Sequence, residues 1–395
     1  MSNKYEHYKE KQIYFYRTLD EKTCSVYDGN SIFTMTHKEK INILKNNFKQ
    51  TFILVINKSK NDEDMMREYK EYITTIEEIK HITDGKINMY KTGTIGNTAM
   101  AIFTKLNNIQ AEDVKEYEFP FLQNGGGVRY ARNEYSGKGY KYDINSYYPS
   151  LMLSRYIKIP LKEGKLIDIT TEKLNQMRCV KYGVYHVYIE CEDPVMFSTI
   201  KTNMYSHFEV NYAKKLGLKI SVLGKCIVWD NEDMDTLYNV FNKYVKYMYA
   251  LKTKHKGIKN ILNALWGFLV QKKGGDNVKY IMNYEDIDHT KYKIKKITPL
   301  DDTFTKCEVM ISTKINFYKT HYARINPFLL GYARVNMHKT FDKVGYDNVL
   351  YSHTDSVILK VNISSKFKIS FKIGEWKYEG YNKKCKIYNK NRYEF

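Results

Sequence analysis

The sequence predicts a mixed α+β protein whose reactive acids stand on strands, and three observations carry that prediction. β-type runs and helical periodicities alternate along the whole chain. Hydrophobic residues make up 43% of the 395 positions, enough for a large buried core. Two acid-bearing segments, KYDINSYYPSLM at 141–152 and LYSHTDSVIL at 350–359, read as strands that run out at an aspartate.

In chain order, residues 1–110 alternate short β-type runs such as 51–56 (TFILVI) with helical pieces at 63–80 and 97–108. Gly125, Gly126 and Gly127 then mark a break. YGVYHVYIE at 182–190 alternates like a half-buried strand, 232–266 reads as a pair of helices rich in Lys and Tyr, and NVLYSHTDSVILK at 348–360 reads as strand, turn, strand. No internal repeat or Pro/Ser-rich linker is present, and with six prolines the usual domain punctuation is scarce.

Lys and Arg total 64 against 44 Asp and Glu, and the net charge of +20 is spread along the chain. A polyanionic partner follows from that balance, and 37 tyrosines among the cations suit grooves in which bases stack while phosphates are neutralised. A/T-rich coding also yields such a composition, because it raises Lys, Asn, Ile and Tyr together. Cys24, Cys179, Cys191, Cys226, Cys307 and Cys385 lie far apart without a CxxC pair, so they read as reduced, isolated thiols and not as zinc ligands. The N-terminus lacks an apolar signal core, and no run approaches eighteen apolar residues. The expectation is a soluble, cytoplasmic protein with no membrane partner.

Three segments carry chemistry. In 141–152, Asp143 leaves a strand at a Ser-Tyr-Tyr-Pro-Ser turn, where Pro149 is expected to end the strand and reset the backbone into a helix; a plain helix N-terminus capped by Asp or Ser is the alternative. In KNILNALWGFL at 259–269, Lys259, Asn263 and Trp266 fall at i, i+4 and i+7, giving one helix face a cation, an amide and a flat ring. Such a face can hold a triphosphate and a base, and it is also common on ordinary helix surfaces. In 350–359, a tight hairpin pushes Asp355 out at its tip. Asp143 and Asp355 would supply the one or two carboxylates through which Mg²⁺ often binds together with substrate phosphates; an ordinary turn built on Asp and Ser is the alternative.

Taken in this order and spacing, the three segments resemble motifs A (Dx2SLYPS, here DINSYYPS), B (Kx3NSxYG, here KNILNALWG) and C (YxDTDS, here YSHTDS) of the family B DNA polymerases. Further stretches resemble the protein-primed branch: NGGGVRY at 124–130 is similar to its YxGG-type loop, 182–190 followed by 204–220 to its first terminal-protein-region insertion, and the tail after Gly374 to its KxY region. The resemblance spans about residues 95–395. It implies a right-hand palm of antiparallel sheet and helices with helical fingers. The implied segments are a reduced exonuclease-like remnant at 1–120, palm at 121–160, an insertion at 161–230, fingers at 231–270, a second insertion at 271–310, and palm with a KxY-like tail at 311–395.

The same resemblance implies roles. Asp143 and Asp355 would bind two Mg²⁺ ions, with Mn²⁺ as a substitute; Tyr148 would block a ribose 2′-oxygen; Lys259 and Lys252 would hold the incoming dNTP, framed by Asn263 and Trp266. Gly126, Gly127, Arg129, Thr354, Lys390, Arg392 and Tyr393 would touch the DNA template-primer, and a terminal protein would act as primer. An A/T-rich phage, virus or linear plasmid is the implied source.

Four departures qualify it. His353 replaces the leading Asp of motif C, removing negative charge beside the metal positions, so weaker metal binding is expected. Trp266 stands where Tyr is usual. Residues 1–120 show no DxE strand, so proofreading is expected to be absent and the acids at 62–64 to be solvated helix-start residues. Two residues follow Tyr393, so a separate thumb is not expected. A catalytically impaired DNA-binding or scaffold protein is the competing expectation, and an RNA-making enzyme is disfavoured by Tyr148.

Overall fold

The computed structural model describes residues 9–20, 23–36, 39, 52–116, 125–191, 197, 202–272, 277–281, 292–301, 304–311 and 318–395. Thr51, Asn124, the side chain of Cys307 and much of the 271–310 segment lie outside the described set. The chain forms two compact units, Met1–Asn108 with Lys243–Lys319 and Ile109–Asn242 with Thr320–Phe395.

The first unit opens with strands β1 (Gln12–Thr18), β2 (Thr23–Tyr27), β3 (Ile32–Thr36) and β4 (Phe52–Ile56) in the order β3-β2-β1-β4, with only the β1–β4 pair parallel. Helix α1 (Asp62–Ile82) starts where the Asn61 side chain accepts the Asp64 N–H at 2.8 Å. It is fastened to the sheet by Tyr69, whose ring meets Phe15 at 5.2 Å and Tyr27 at 4.9 Å. The acids at 62–64 do occupy its first turn, but Asp62 is not simply solvated: it accepts from Arg17 at 2.7 Å and Ser25 at 2.9 Å. The cation draws the carboxyl below its ordinary range. α2 (Met89–Thr92) and α3 (Ile95–Leu106) follow, the latter burying Ala99, Ile102 and Phe103.

In the second unit come β5 (Arg129–Ala131), β6 (Tyr135–Ile144) and the short helix α4 (Tyr147–Leu151). After β7 (Lys158–Pro160), β8 (Lys165–Ile167), α5 (Thr171–Gln176), β9 (Gly183–Ile189), β10 (Met204–Ser206), α6 (His207–Lys215), β11 (Ile220–Val222) and β12 (Cys226–Val228) build a small sheet around β9, in the order β10-β9-β12-β8 with β11 also on β9. Its core packs Tyr185, Val187, Tyr205 and Val210 together. β9 is more buried than an alternating strand needs to be, and Tyr188 is its one exposed residue.

The expected helix pair is present but starts late: β13 (Met234–Thr236) pairs with β7, and sheet pairing overrides helix propensity there. α7 (Leu237–Lys252) then runs from the second unit into the first, where α8 (Lys256–Leu269) buries Ile258, Ile261, Leu262, Leu265 and Leu269 along one stripe. β14 (Asn277–Ile281), β15 (Tyr292–Asp301) and β16 (Phe304–Ile311) form an antiparallel sheet.

Back in the second unit, α9 (Ile325–Val344) is buried on nearly every side, and the buried residues include the polar Asn326, Arg334 and His338. β17 (Val349–His353), β18 (Ser356–Leu359), β19 (Trp376–Asn389) and β20 (Arg392–Glu394) complete a six-stranded sheet in the order β20-β19-β6-β18-β17-β5, antiparallel throughout. Tyr147 secures α4 to α9 by donating to the Ala333 carbonyl at 3.0 Å.

Candidate active site

Asp143 is the penultimate residue of β6. The strand stops one residue later because Ser146 adopts the left-handed conformation, φ 50° and ψ 54°. Ser146 therefore makes the break that was expected of Pro149. The proline sits within the first turn of α4, where its missing N–H costs nothing. Alternation along β6 buries Tyr142 and Ile144 on one face and turns half-buried Asp143 to the other, with Lys141. Ser356 on β18 and Lys377 on β19 stand opposite Asp143 in the two neighbouring ladders.

Asp355 reaches the same strand end. The β17–β18 connection has two residues, Thr354 and Asp355, closed by the pair His353 and Ser356. The Asp355 N–H donates to the His353 carbonyl at 2.8 Å, a γ-turn about Thr354 at φ 64°. The Ile144 N–H donates to the Asp355 carbonyl at 2.9 Å, so the two aspartates come from adjacent strands one register step apart. Tyr148 on α4 is in electrostatic reach of Asp355: burial first, then the charge of Asp355, pushes its hydroxyl pKa upward, with Arg334 opposing.

The Gly-rich segment lies alongside. The Thr354 N–H donates to the Val128 carbonyl at 2.8 Å, and exposed Arg129 on β5 pairs with His353 on β17. Gly126 offers its carbonyl to the Arg334 guanidinium at 3.0 Å. Arg334 also pairs with Glu209 at 2.8 Å, both side chains being almost wholly buried. The sequence analysis missed this pair. One signal was available, the Ser206/Glu209 capping-box spacing at the start of α6, but nothing in GYARVNM marks an arginine that will be buried.

From the edge strand β20, Tyr393 lays its ring 4.7 Å from Tyr351 and under the Lys141 ammonium. Burial lowers the pKa of that ammonium, and Tyr393 and Glu379 more than offset the loss, leaving it raised. Arg392 covers the Tyr388 ring at 4.7 Å, and Lys390 lies in the β19–β20 turn, its carbonyl accepting from Tyr351 at 3.2 Å. Lys252, Lys259, Asn263 and Trp266 belong to the first unit. Lys252 ends α7 over the Tyr249 ring, and the other three occupy the arc of α8 away from its buried stripe. Lys259 is exposed, while the amide oxygen of Asn263 is buried without a partner among the described residues.

The donor set suits a hard cation. Two aspartates stand at neighbouring strand ends, and among the described residues no group of three or more His, Cys, Asp or Glu side chains gathers as a metal site. Mg²⁺ bound there would complete its shell with substrate phosphate oxygens and water, its usual habit.

The family described as DNA polymerase type B, organellar and viral, is matched by residues 4–346. The chain belongs to that family. Its activity is therefore that of a DNA-directed DNA polymerase. The match ends just before the Thr354–Asp355 turn, so the place of Asp355 rests on its ladder with β6.

Solved structures of the phage Phi29 DNA polymerase share the fold. A Phi29 DNA polymerase complexed with primer-template DNA is 14% identical with a TM-score of 0.57, over 94% of this chain and 70% of that one. An orthorhombic crystal form gives 14%, 0.54, 99% and 75%. A ternary complex with primer-template DNA and incoming nucleotide substrates gives 16%, 0.54, 77% and 56%. No curated protein matches the sequence. The antiparallel sheet with helices expected of a polymerase palm is the architecture found, and among the described residues no helix is long and apolar enough to cross a membrane.

Proposed function

We propose that this polymerase adds deoxynucleotides to a DNA or terminal-protein primer under the direction of a template, with Asp143 and Asp355 holding two Mg²⁺ ions. The observation that carries this reading is the ladder that brings Asp355 to the end of the Asp143 strand. Bound there, Mg²⁺ or Mn²⁺ would lower the pKa of the attacking 3′-hydroxyl and offset charge on the leaving pyrophosphate. The chain's own residues do the positioning. Tyr148, wedged in place by burial, bars a ribose 2′-oxygen. Lys259 and Lys252 neutralise triphosphate charge, and the amide oxygen of Asn263, without a partner among the described residues, accepts from a donor on the nucleotide. Trp266 offers a stacking face. Gly126, Arg129 and Thr354 follow the template, and Lys390, Arg392 and Tyr393 follow the primer.

Proofreading is absent in this reading. The first strand, QIYFYRT, carries no acid, and Asp62, whose carboxylate reaches that strand, is tied to the Arg17 guanidinium at 2.7 Å and so is not free for a metal.

A second reading, a DNA-binding scaffold, is favoured by His353 in motif C. Primer extension on four templates differing in one base separates the two, using wild type and His353→Asp with Mg²⁺ and with Mn²⁺. Template-dictated incorporation by the wild type supports the polymerase reading. Incorporation only after His353→Asp supports the scaffold, and none in either protein overturns the assignment of the two aspartates.

A further inference from the structure

The resemblance that assigned Gly127 to the template does not account for how tightly this residue is packed. A Cβ built on Gly127 would lie 3.0 Å from both Cα and Cγ2 of Thr354 and 3.2 Å from its Cβ. Backbone and a β-branched side chain cannot yield as the end of a flexible chain can. The neighbouring Gly126 shows the contrast, for a Cβ there meets nothing within 4 Å among the described residues. A side chain at Gly127 would therefore press on the residue before Asp355, which would have to give by a few tenths of an ångström.

Thr354 needs such support. A β-branched residue at φ 64° is strained and persists only where its surroundings over-determine it. Three contacts do so. The Thr354 N–H is held by the Val128 carbonyl at 2.8 Å, the Gly127 backbone lies against Thr354 Cα and Cγ2, and β5 pairs with β17 up to His353. The supporting segment is itself fixed: Val128 is buried, and the Gly126 carbonyl accepts from Arg334, which is anchored on Glu209. The Asp355 carbonyl then takes the Ile144 N–H, so a shift of Thr354 passes directly to the spacing between the two aspartates.

We infer that Gly127 is a positioning residue for Asp355: by lying flush against Thr354 it holds the strained turn in the one conformation that sets Asp355 beside Asp143. The inference rests on the polymerase reading and deepens it, because it assigns the second glycine of the loop to the metal-binding carboxylate and not to the template.

The test separates metal from DNA. The Mg²⁺ concentration for half-maximal single-nucleotide extension is measured for wild type, Gly126→Ala, Gly127→Ala and the double variant Gly127→Ala/Thr354→Gly. The affinity of each for a labelled primer-template duplex is measured in EDTA by fluorescence anisotropy. Gly127→Ala is expected to raise the Mg²⁺ requirement about tenfold, the scale on which groups that orient a metal ligand act, with metal-free DNA affinity unchanged. The double variant, which removes the methyl and Cβ that the new alanine meets, is expected to recover part of that loss and keeps the test open if Gly127→Ala folds poorly. Gly126→Ala, at a residue assigned to the template, is expected to weaken duplex binding without raising the Mg²⁺ requirement, and a raised requirement there overturns the distinction between the two glycines. An unshifted Mg²⁺ requirement in Gly127→Ala, or a loss confined to DNA affinity, overturns the positioning role alone. Failure of the wild type to extend any template with Mg²⁺ or Mn²⁺ overturns the polymerase reading and this inference with it.

Discussion

Replacing Arg334 by Leu should destabilise the second unit severely. Arg334 and Glu209 are both 2% exposed, and their ion pair is 2.8 Å long. Without the guanidinium, the Glu209 carboxylate stays buried with only the Ser206 N–H and hydroxyl as donors, each at 2.9 Å, and the Gly126 carbonyl loses its partner. Stranding one member of a buried pair costs about 3–5 kcal/mol. Domains are stable by only about 5–15 kcal/mol, so the loss is a large share of the total. Urea denaturation followed by circular dichroism at pH 7 measures it. Arg334→Leu/Glu209→Gln should recover about 2 kcal/mol, because a neutral amide needs no counter-charge and still accepts the Ser206 N–H. A loss below about 1 kcal/mol in the single variant, or no recovery in the double, would refute the reasoning.

Two further outcomes follow from the same physics. Tyr148→Val should admit ribonucleotides, raising rNTP incorporation relative to dNTP in single-nucleotide extension; an unchanged ratio removes Tyr148 from that role. Burial pushes the pKa of His207 and of His338 down to about 3 from 6.5. Below pH 6.5 the unfolded chain takes up protons that the folded sites refuse until about pH 3, so stability must fall across that window. At pH 5 each histidine should cost about 2 kcal/mol relative to pH 7, and His338→Gln should reduce the pH dependence of urea denaturation by that amount; an identical slope in the variant contradicts it.

The strand ends that carry the two aspartates could be read from the sequence because alternation, a Ser-Tyr-Tyr-Pro turn and a two-residue hairpin are all local signals. The ladder that makes them neighbours is not local: β6 pairs with β18 across more than 200 positions, and only the family resemblance anticipated it. Ser146 was overlooked because left-handed backbone at a serine has little sequence signature, and a proline three residues on seemed sufficient cause. Arg334 escaped for the opposite reason. Its helix mixes polar and apolar residues with no stripe to show that all sides will be buried, and the partner that makes burial of a cation tolerable lies 125 residues away on α6. Gly127 was recognised as important from the glycine cluster, yet composition alone could not distinguish a glycine needed for DNA from one needed for Thr354.

The most direct test of the whole account is the single-turnover rate of templated nucleotide addition by Asp355→Asn beside wild type, with Mg²⁺ and a preformed primer-template complex. The substitution keeps size and hydrogen bonding while removing one of two charges on which the metals depend. The account predicts a fall of about 10³-fold or more, with primer-template affinity retained. A rate within tenfold of wild type would contradict it, because Asp355 could then not be one of the two metal-binding carboxylates.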